Sequence, residues 1–346
     1  MKYSITFITI VIIGALGLWY YQGRAFPLPS GETASLVDVE EGENAEAPSS
    51  ENESEQTMRS QRDILVTDGV RHSVPLGEIL SGGPGKDGIP AIDEPKFLSV
   101  GEATFLNDSD TGLGLTISGE SRFYPYRILV WHEIVNDTVA EKPVLVTYCP
   151  LCATGIVFER SVDGEVQEFG VSGRLWQSNL LMYNRAGSEE NESLWSQVLG
   201  EAVLGVHTGK KLPIIRSDVV RFGDWKKAHP STLVLSQDTG AARNYGRDPY
   251  GDYYTSESVS FGATFNDTRL HPKALVHGIE IDGRYKAYHD DALSGTITDA
   301  FAGKQITVTK TNSGELTFTA SGEAIPSIPG FWFSWLAVHP ETELFK

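Results

Sequence analysis

Cysteine is nearly absent from this 346-residue chain, which contains only Cys149 and Cys152. Two thiols cannot frame a disulfide scaffold, so stability must come from a buried core, which the 40% hydrophobic content can supply. Basic residues are also scarce, 28 against 46 acids, giving a net charge of −18. Neutralising phosphates needs clustered lysine and arginine, so nucleic acid is excluded as a partner. No cysteine follows the N-terminal apolar run, which excludes a lipoprotein anchor. Two familiar motifs are incomplete. In "HEIVN", Asn136 stands where His-Glu-x-x-His needs its second histidine. In "SGGPGKDG", Leu80 and Asp87 replace the first glycine and the Ser/Thr of a phosphate loop.

The first 24 residues carry no charge between Lys2 and Arg24, and Trp19, Tyr20 and Tyr21 lie at the far end. That length approaches the ~20 residues that span a bilayer, and amphipathic rings favour its interface. Residues 1–24 are read as a single-pass membrane anchor, with a cleaved signal segment as the competing reading. Both place the remaining chain outside the cytoplasmic membrane. Residues 25–61 are expected to form an acidic, disordered tether, because residues 30–56 are mostly Glu, Ser, Ala, Pro and Gly with no aromatic residue.

Residues 62–346 read as mainly β with short helices. Runs such as "GLTISG", "PVLVTY", "GIVFER", "LVLS" and "QITVTKT" are bounded by turn residues. Asp163-Gly164 in "SVDGEV" predicts a tight hairpin. "ESLWSQVLG" and "FGDWKKAH" are expected to be short helices. An internal echo joins "DWKKAHPSTLVL" to "SWLAVHPETELF", and predicts two related β units packed into one body, roughly 97–236 and 262–345. His229 and His339 occupy matching places before a proline and are read as structural. The first unit holds "WHE" and "CPLC", whereas the second has "TNSG" at the equivalent turn and no counterpart of His132. Site chemistry is therefore expected at Cys149, Cys152 and His132.

Three readings of the pair stay open. A Cys-x-x-Cys can exchange disulfides, one thiolate attacking and the other resolving, here Cys149 and then Cys152. It can supply two soft ligands to copper or zinc, with His132 as a third, and His207 and His277 as weaker partners. It can also form a local disulfide in a non-catalytic binding or surface module, although so short a loop stabilises little. The strand-like "GIVFER" directly after Cys152 removes the helix that lowers a thioredoxin-type thiol. Glu133, Trp131, Arg174, Lys86, Asp87 and Trp195 are candidate lining residues. The loop "YGRDPYGDYY" reads as either a binding rim or a packed turn.

The ordered strings "GGPGKDGIPAIDEPKF", "WHEIVND", "VTYCPLCATG", "FGVSGRLWQSNLLMYNR", "SLWSQ", "HPSTLVLS" and "DPYGDY" resemble the domain-of-unknown-function 3179 family of exported bacterial and archaeal proteins. The resemblance covers about residues 63–345. It implies a single family domain over that span, with its Cys-Pro-Leu-Cys element at Cys149 to Cys152, and it carries no activity.

Overall fold

In the computed structural model, the described residues are 62–263 and 265–346, together with the backbone of Ala34–Leu36. The expected anchor, 1–24, and all of the expected tether except Ala34–Leu36 lie outside them. Ala34–Leu36 pairs antiparallel with Leu65–Thr67 as the edge of an eight-stranded sheet. The alternation Ala-Ser-Leu interrupts the acidic composition there and gives the edge a short strand to accept. Among the described residues, no helix is long and apolar enough to cross a membrane.

The protein is mainly β, and among the described residues its α-helices are the seven-residue Tyr126–His132, Phe222–Ala228 and Trp332–Val338. Two sheets share one plan. In the first, Asp218–Arg221, Thr111–Ile117 and Glu120–Pro125 run antiparallel, and Leu233–Leu235 joins in parallel. In the second, Ile328–Phe331, Leu275–Ile281, Arg284–His289 and Glu343–Phe345 repeat that order and those directions. Each parallel strand follows a seven-residue helix, whose crossover is what a parallel neighbour requires. Each central hairpin also ties to a following strand through a tyrosine: Tyr124 donates to Asp137 at 2.7 Å, and Tyr288 donates to Asp299 at 2.8 Å.

The echoed Trp, His and Thr residues build the same corner twice. The indole N–H of Trp225 donates to Thr232 at 3.0 Å, and that of Trp335 donates to Thr342 at 2.9 Å. Each indole lies flat on a glycine: a Cβ on Gly114 would meet Trp225 at 2.5 Å, and one on Gly278 would meet Trp335 at 2.3 Å. His339 stacks on Tyr285 at 3.7 Å, and burial pushes its imidazole down to about 3, consistent with a packing role. Gly278→Ala must displace a fully packed indole, so a loss of about 1–3 kcal/mol is expected. Thermal unfolding followed by tryptophan fluorescence checks this, and an unchanged midpoint would contradict the corner's close packing.

Residues between Glu159 and Ile214 form most of the eight-stranded sheet, chiefly Phe169–Trp176, Asn179–Asn184, Ser193–Ser196 and Glu201–Gly205. "FGDWKKAH" is helical as expected, but Ser193–Ser196 is a strand, not a helix. All four of its residues are buried between two neighbouring strands. With both faces covered, the period-2 alternation that marks a strand disappears. Asp163 and Gly164 both take positive φ, 53° and 78°, in the expected hairpin turn.

Candidate functional site

Cys149 ends the Lys142–Cys149 strand, and Thr154 pairs back opposite it. The Cys152 N–H donates to the Cys149 carbonyl at 3.1 Å, and Ala153 takes φ 50°, so the four-residue turn reverses tightly. The chain then continues as the strand Thr154–Glu159, with no helix after the motif. Both cysteines are free, buried and within 3.6 Å of each other.

Polar groups meet the sulfurs inside an otherwise apolar cluster that includes Trp195. The thiol of Cys152 lies 3.3 Å from the Ser178 carbonyl, and that of Cys149 lies 3.9 Å from it. Ser178 occupies a hairpin tip where Gln177 and Ser178 both take positive φ, 51° and 63°. Non-glycine residues in that region cost about 1–3 kcal/mol each. Here the strained tip aims a carbonyl at both sulfurs. Asn179 and the otherwise unpartnered hydroxyl of Ser334 face Cys152. Asn179 is fixed by donating to Gln197 at 3.0 Å, and Gln197 in turn donates to Thr147 at 3.0 Å.

These surroundings separate the two thiols. Burial, then the neighbouring Cys152, pushes the Cys149 thiol well up. Burial also opposes ionisation of Cys152, but hydrogen bonds from Cys149, Ser334 and Asn179 outweigh it and lower that thiol. Glu133 caps the Tyr126–His132 helix at φ 59°, which turns its side chain inward. Burial first, then the adjacent Cys149, raises the Glu133 carboxyl well above the usual carboxylate range.

His132 does not join the sulfurs as a ligand. Its Nδ1 bonds to the Pro90 carbonyl at 2.7 Å and its Nε2 to the Tyr245 hydroxyl at 2.7 Å, so both nitrogens are occupied. Among the described residues, no three His, Cys, Asp or Glu side chains gather as a metal site. Among the described residues, the pair has no third and fourth ligand gathered beside it for a tetrahedral zinc arrangement. His207 bonds to Lys210 at 3.3 Å, and His277 belongs to a different cluster with Asp290.

The tyrosine-rich loop covers the pair. Trp131 Nε1 donates to the Arg247 carbonyl at 3.1 Å, beside the His132–Tyr245 bond, so "WHE" holds one end of it. Over the turn, Tyr253 donates to the Leu151 carbonyl at 2.9 Å. Burial raises the phenols of Tyr250 and Tyr253, reinforced by charge on the cysteines and, for Tyr250, on Glu133. At the other end, the Ser178 hydroxyl donates to the Ser260 carbonyl. The buried ammonium of Lys273 donates to the carbonyls of Tyr253, Ser256 and Ser258 at 2.5, 2.8 and 2.9 Å, and lies 3.6 Å from the Tyr253 ring centre. Lys273→Met removes three charge-assisted bonds. It is expected to speed native-state alkylation of the cysteines about tenfold or more, as local opening becomes easier. An alkylation time course on the folded variant checks this; an unchanged rate would mean that Lys273 does not hold the cover.

The other lining candidates lie elsewhere. Lys86 pairs with Glu192 at 2.5 Å, and Asp87 accepts from Tyr183 at 2.5 Å and Arg185 at 3.3 Å. Arg174 sits at a register shift, paired with Ser81 of the Gly/Pro loop. Sequence reasoning passed over Ser178, Asn179, Lys273 and Ser334. It named the tyrosine loop without assigning it to the cysteines.

A family model described as a protein of unknown function, the domain-of-unknown-function 3179 family, matches residues 86–342, and the chain belongs to that family. No curated protein and no solved structure matches it.

Proposed function

We propose that this protein exchanges thiols with disulfides outside the cytoplasmic membrane, carried there by its 1–24 segment, with Cys152 as the attacking thiolate and Cys149 as the resolving thiol. The observation that supports this most is the 3.6 Å approach of two free cysteines whose acidities are driven apart. A disulfide bond is about 2.05 Å long, so closing it needs a shift of about 1.5 Å. The lowered thiol of Cys152 reverses the roles expected from their order in the sequence.

In the reaction, the Cys152 thiolate attacks one sulfur of a partner disulfide. A mixed disulfide forms, and the partner's second sulfur leaves as a thiolate and is protonated by solvent. Once the raised Glu133 carboxyl has released its own proton to solvent, Cys149 gives its proton to the Glu133 carboxylate and attacks Cys152 Sγ. The mixed disulfide breaks, and the departing partner thiolate takes the proton from Glu133. Two protein thiols become one disulfide, and the partner disulfide becomes two thiols. Partner access requires the cover formed by Tyr250 and Tyr253 to swing aside.

Reduced protein incubated with oxidised glutathione, quenched in acid and weighed by mass spectrometry tests the proposal. Concerted loss of both thiols through a transient glutathione adduct is expected. Two thiols that stay unmodified in the folded protein would contradict it. Copper or zinc bound stoichiometrically after purification without chelator, with both thiols blocked, would make the pair a soft-metal site instead.

A further inference from the structure

Ser178 is completely buried at its hairpin tip, and a buried backbone carbonyl needs a donor. Among the described residues, only the two thiols supply one to it, Cys152 at 3.3 Å and Cys149 at 3.9 Å. The tip is held so that this carbonyl cannot easily turn elsewhere. The Ser178 N–H donates to the Phe261 carbonyl at 3.1 Å, and its hydroxyl donates to the Ser260 carbonyl. Beside it, the Gln177 amide and the Trp176 indole both donate to Glu78, at 3.0 and 2.9 Å. A disulfide has no S–H to give. Oxidising the pair therefore leaves a buried carbonyl unsatisfied unless the tip moves, a cost that the dithiol does not carry.

The other side of the pair also favours reduced sulfur. Asn179 and the buried, otherwise unpartnered hydroxyl of Ser334 face Cys152, and both can donate to a thiolate. A neutral disulfide sulfur gains far less from such donors than an anion does. The carbonyl thus suits the protonated pair and the two donors suit the ionised one, whereas neither suits the oxidised pair. A pair whose reduced form is stabilised in this way is an oxidant. Glu133 is in the matching state. Burial raises its carboxyl well above the usual carboxylate range, so it holds the proton that a departing Cys149 thiolate needs.

Resting on the thiol-exchange reading above, we propose that this protein is the disulfide donor in the exchange, oxidising a partner that carries two neighbouring thiols, with the Ser178 carbonyl positioned to hold the pair toward the dithiol. A partner thiolate attacks Cys152 Sγ of the Cys149–Cys152 disulfide. That bond breaks, and Cys149 leaves as a thiolate and takes the Glu133 proton. The partner's second thiolate then attacks its own sulfur in the mixed disulfide and expels the Cys152 thiolate. Two partner thiols become one disulfide and release two protons to solvent. The protein disulfide becomes two thiols, and solvent returns one proton to Glu133 and one to Cys152.

A synthetic peptide of residues 146–155 is the reference, because it closes the same Cys-Pro-Leu-Cys ring without the folded surroundings. Oxidised full-length protein in detergent micelles is mixed one to one with the reduced peptide, quenched in acid and weighed by mass spectrometry. The reverse mixture is run beside it. Both should reach the same end point, with an equilibrium constant of about ten or more in favour of oxidised peptide and reduced protein. A constant of one or below would overturn the donor assignment and leave thiol exchange standing. No exchange from either mixture would remove the exchange reading itself. Hydrogen exchange over residues 177–180 tests the carbonyl: it should be about tenfold faster in the oxidised protein than in the reduced one. Equal rates would overturn the role given to Ser178.

Discussion

Replacing Glu133 with glutamine is expected to slow closure of the Cys149–Cys152 disulfide by about 10²–10⁴-fold, the usual worth of a positioned proton acceptor. Cys149 is the reason. Its thiol is pushed up by burial, so it reacts only if a neighbour takes its proton, and Glu133 is the carboxyl beside it. Stability should move the opposite way. The folded state raises the Glu133 carboxyl, so above the unfolded value of about 4.3 the native protein holds a proton that the unfolded chain has released. Stability from this group is therefore full below pH ~4.3 and declines as pH rises toward the folded value. Glutamine removes the decline. Wild type and Glu133→Gln should melt together near pH 4, and the variant should melt higher at pH 7. Stopped-flow closure rates and melting curves across that range check both halves. A variant that closes as fast as wild type would remove Glu133 from the mechanism.

The two serine substitutions are expected to behave unequally. Cys149→Ser keeps the low-lying thiol, since a serine hydroxyl can still donate to Cys152. It should alkylate at pH 7 at least about tenfold faster than Cys152→Ser and should arrest with glutathione as a stable mixed disulfide, because nothing resolves it. Cys152→Ser leaves only the thiol that burial disfavours as an anion. It should trap little adduct. Intact-mass measurement after a fixed incubation separates the two. Equal trapping by both variants would contradict the assigned roles.

Local chemistry made part of this legible in the chain. Asp163-Gly164 supports positive φ, and the hairpin forms where that pair stands. The echoed Trp, His and Thr sit on equivalent corners because each indole needs a glycine beneath it and a threonine hydroxyl beside it. Cys-Pro-Leu-Cys stood out because one turn carries cysteines that its counterpart lacks. The surroundings of the sulfurs were hidden by sequence distance: Tyr253 reaches Leu151 across 102 positions, and Ser334 lies farther still. No periodicity or spacing encodes such a closure. "WHE" was visible as a unit, yet its members divide their tasks. The left-handed cap at Glu133 turns the carboxyl toward Cys149, while Trp131 and His132 hold the loop above.

The most direct measurement equilibrates the folded protein in graded glutathione buffers, then counts free thiols and bound copper and zinc in the same samples. The account predicts that both thiols disappear together in one two-electron transition, with a midpoint between about −270 and −120 mV, in metal-free protein. Thiols that persist through the whole series, or that are protected by a bound metal ion, would contradict it.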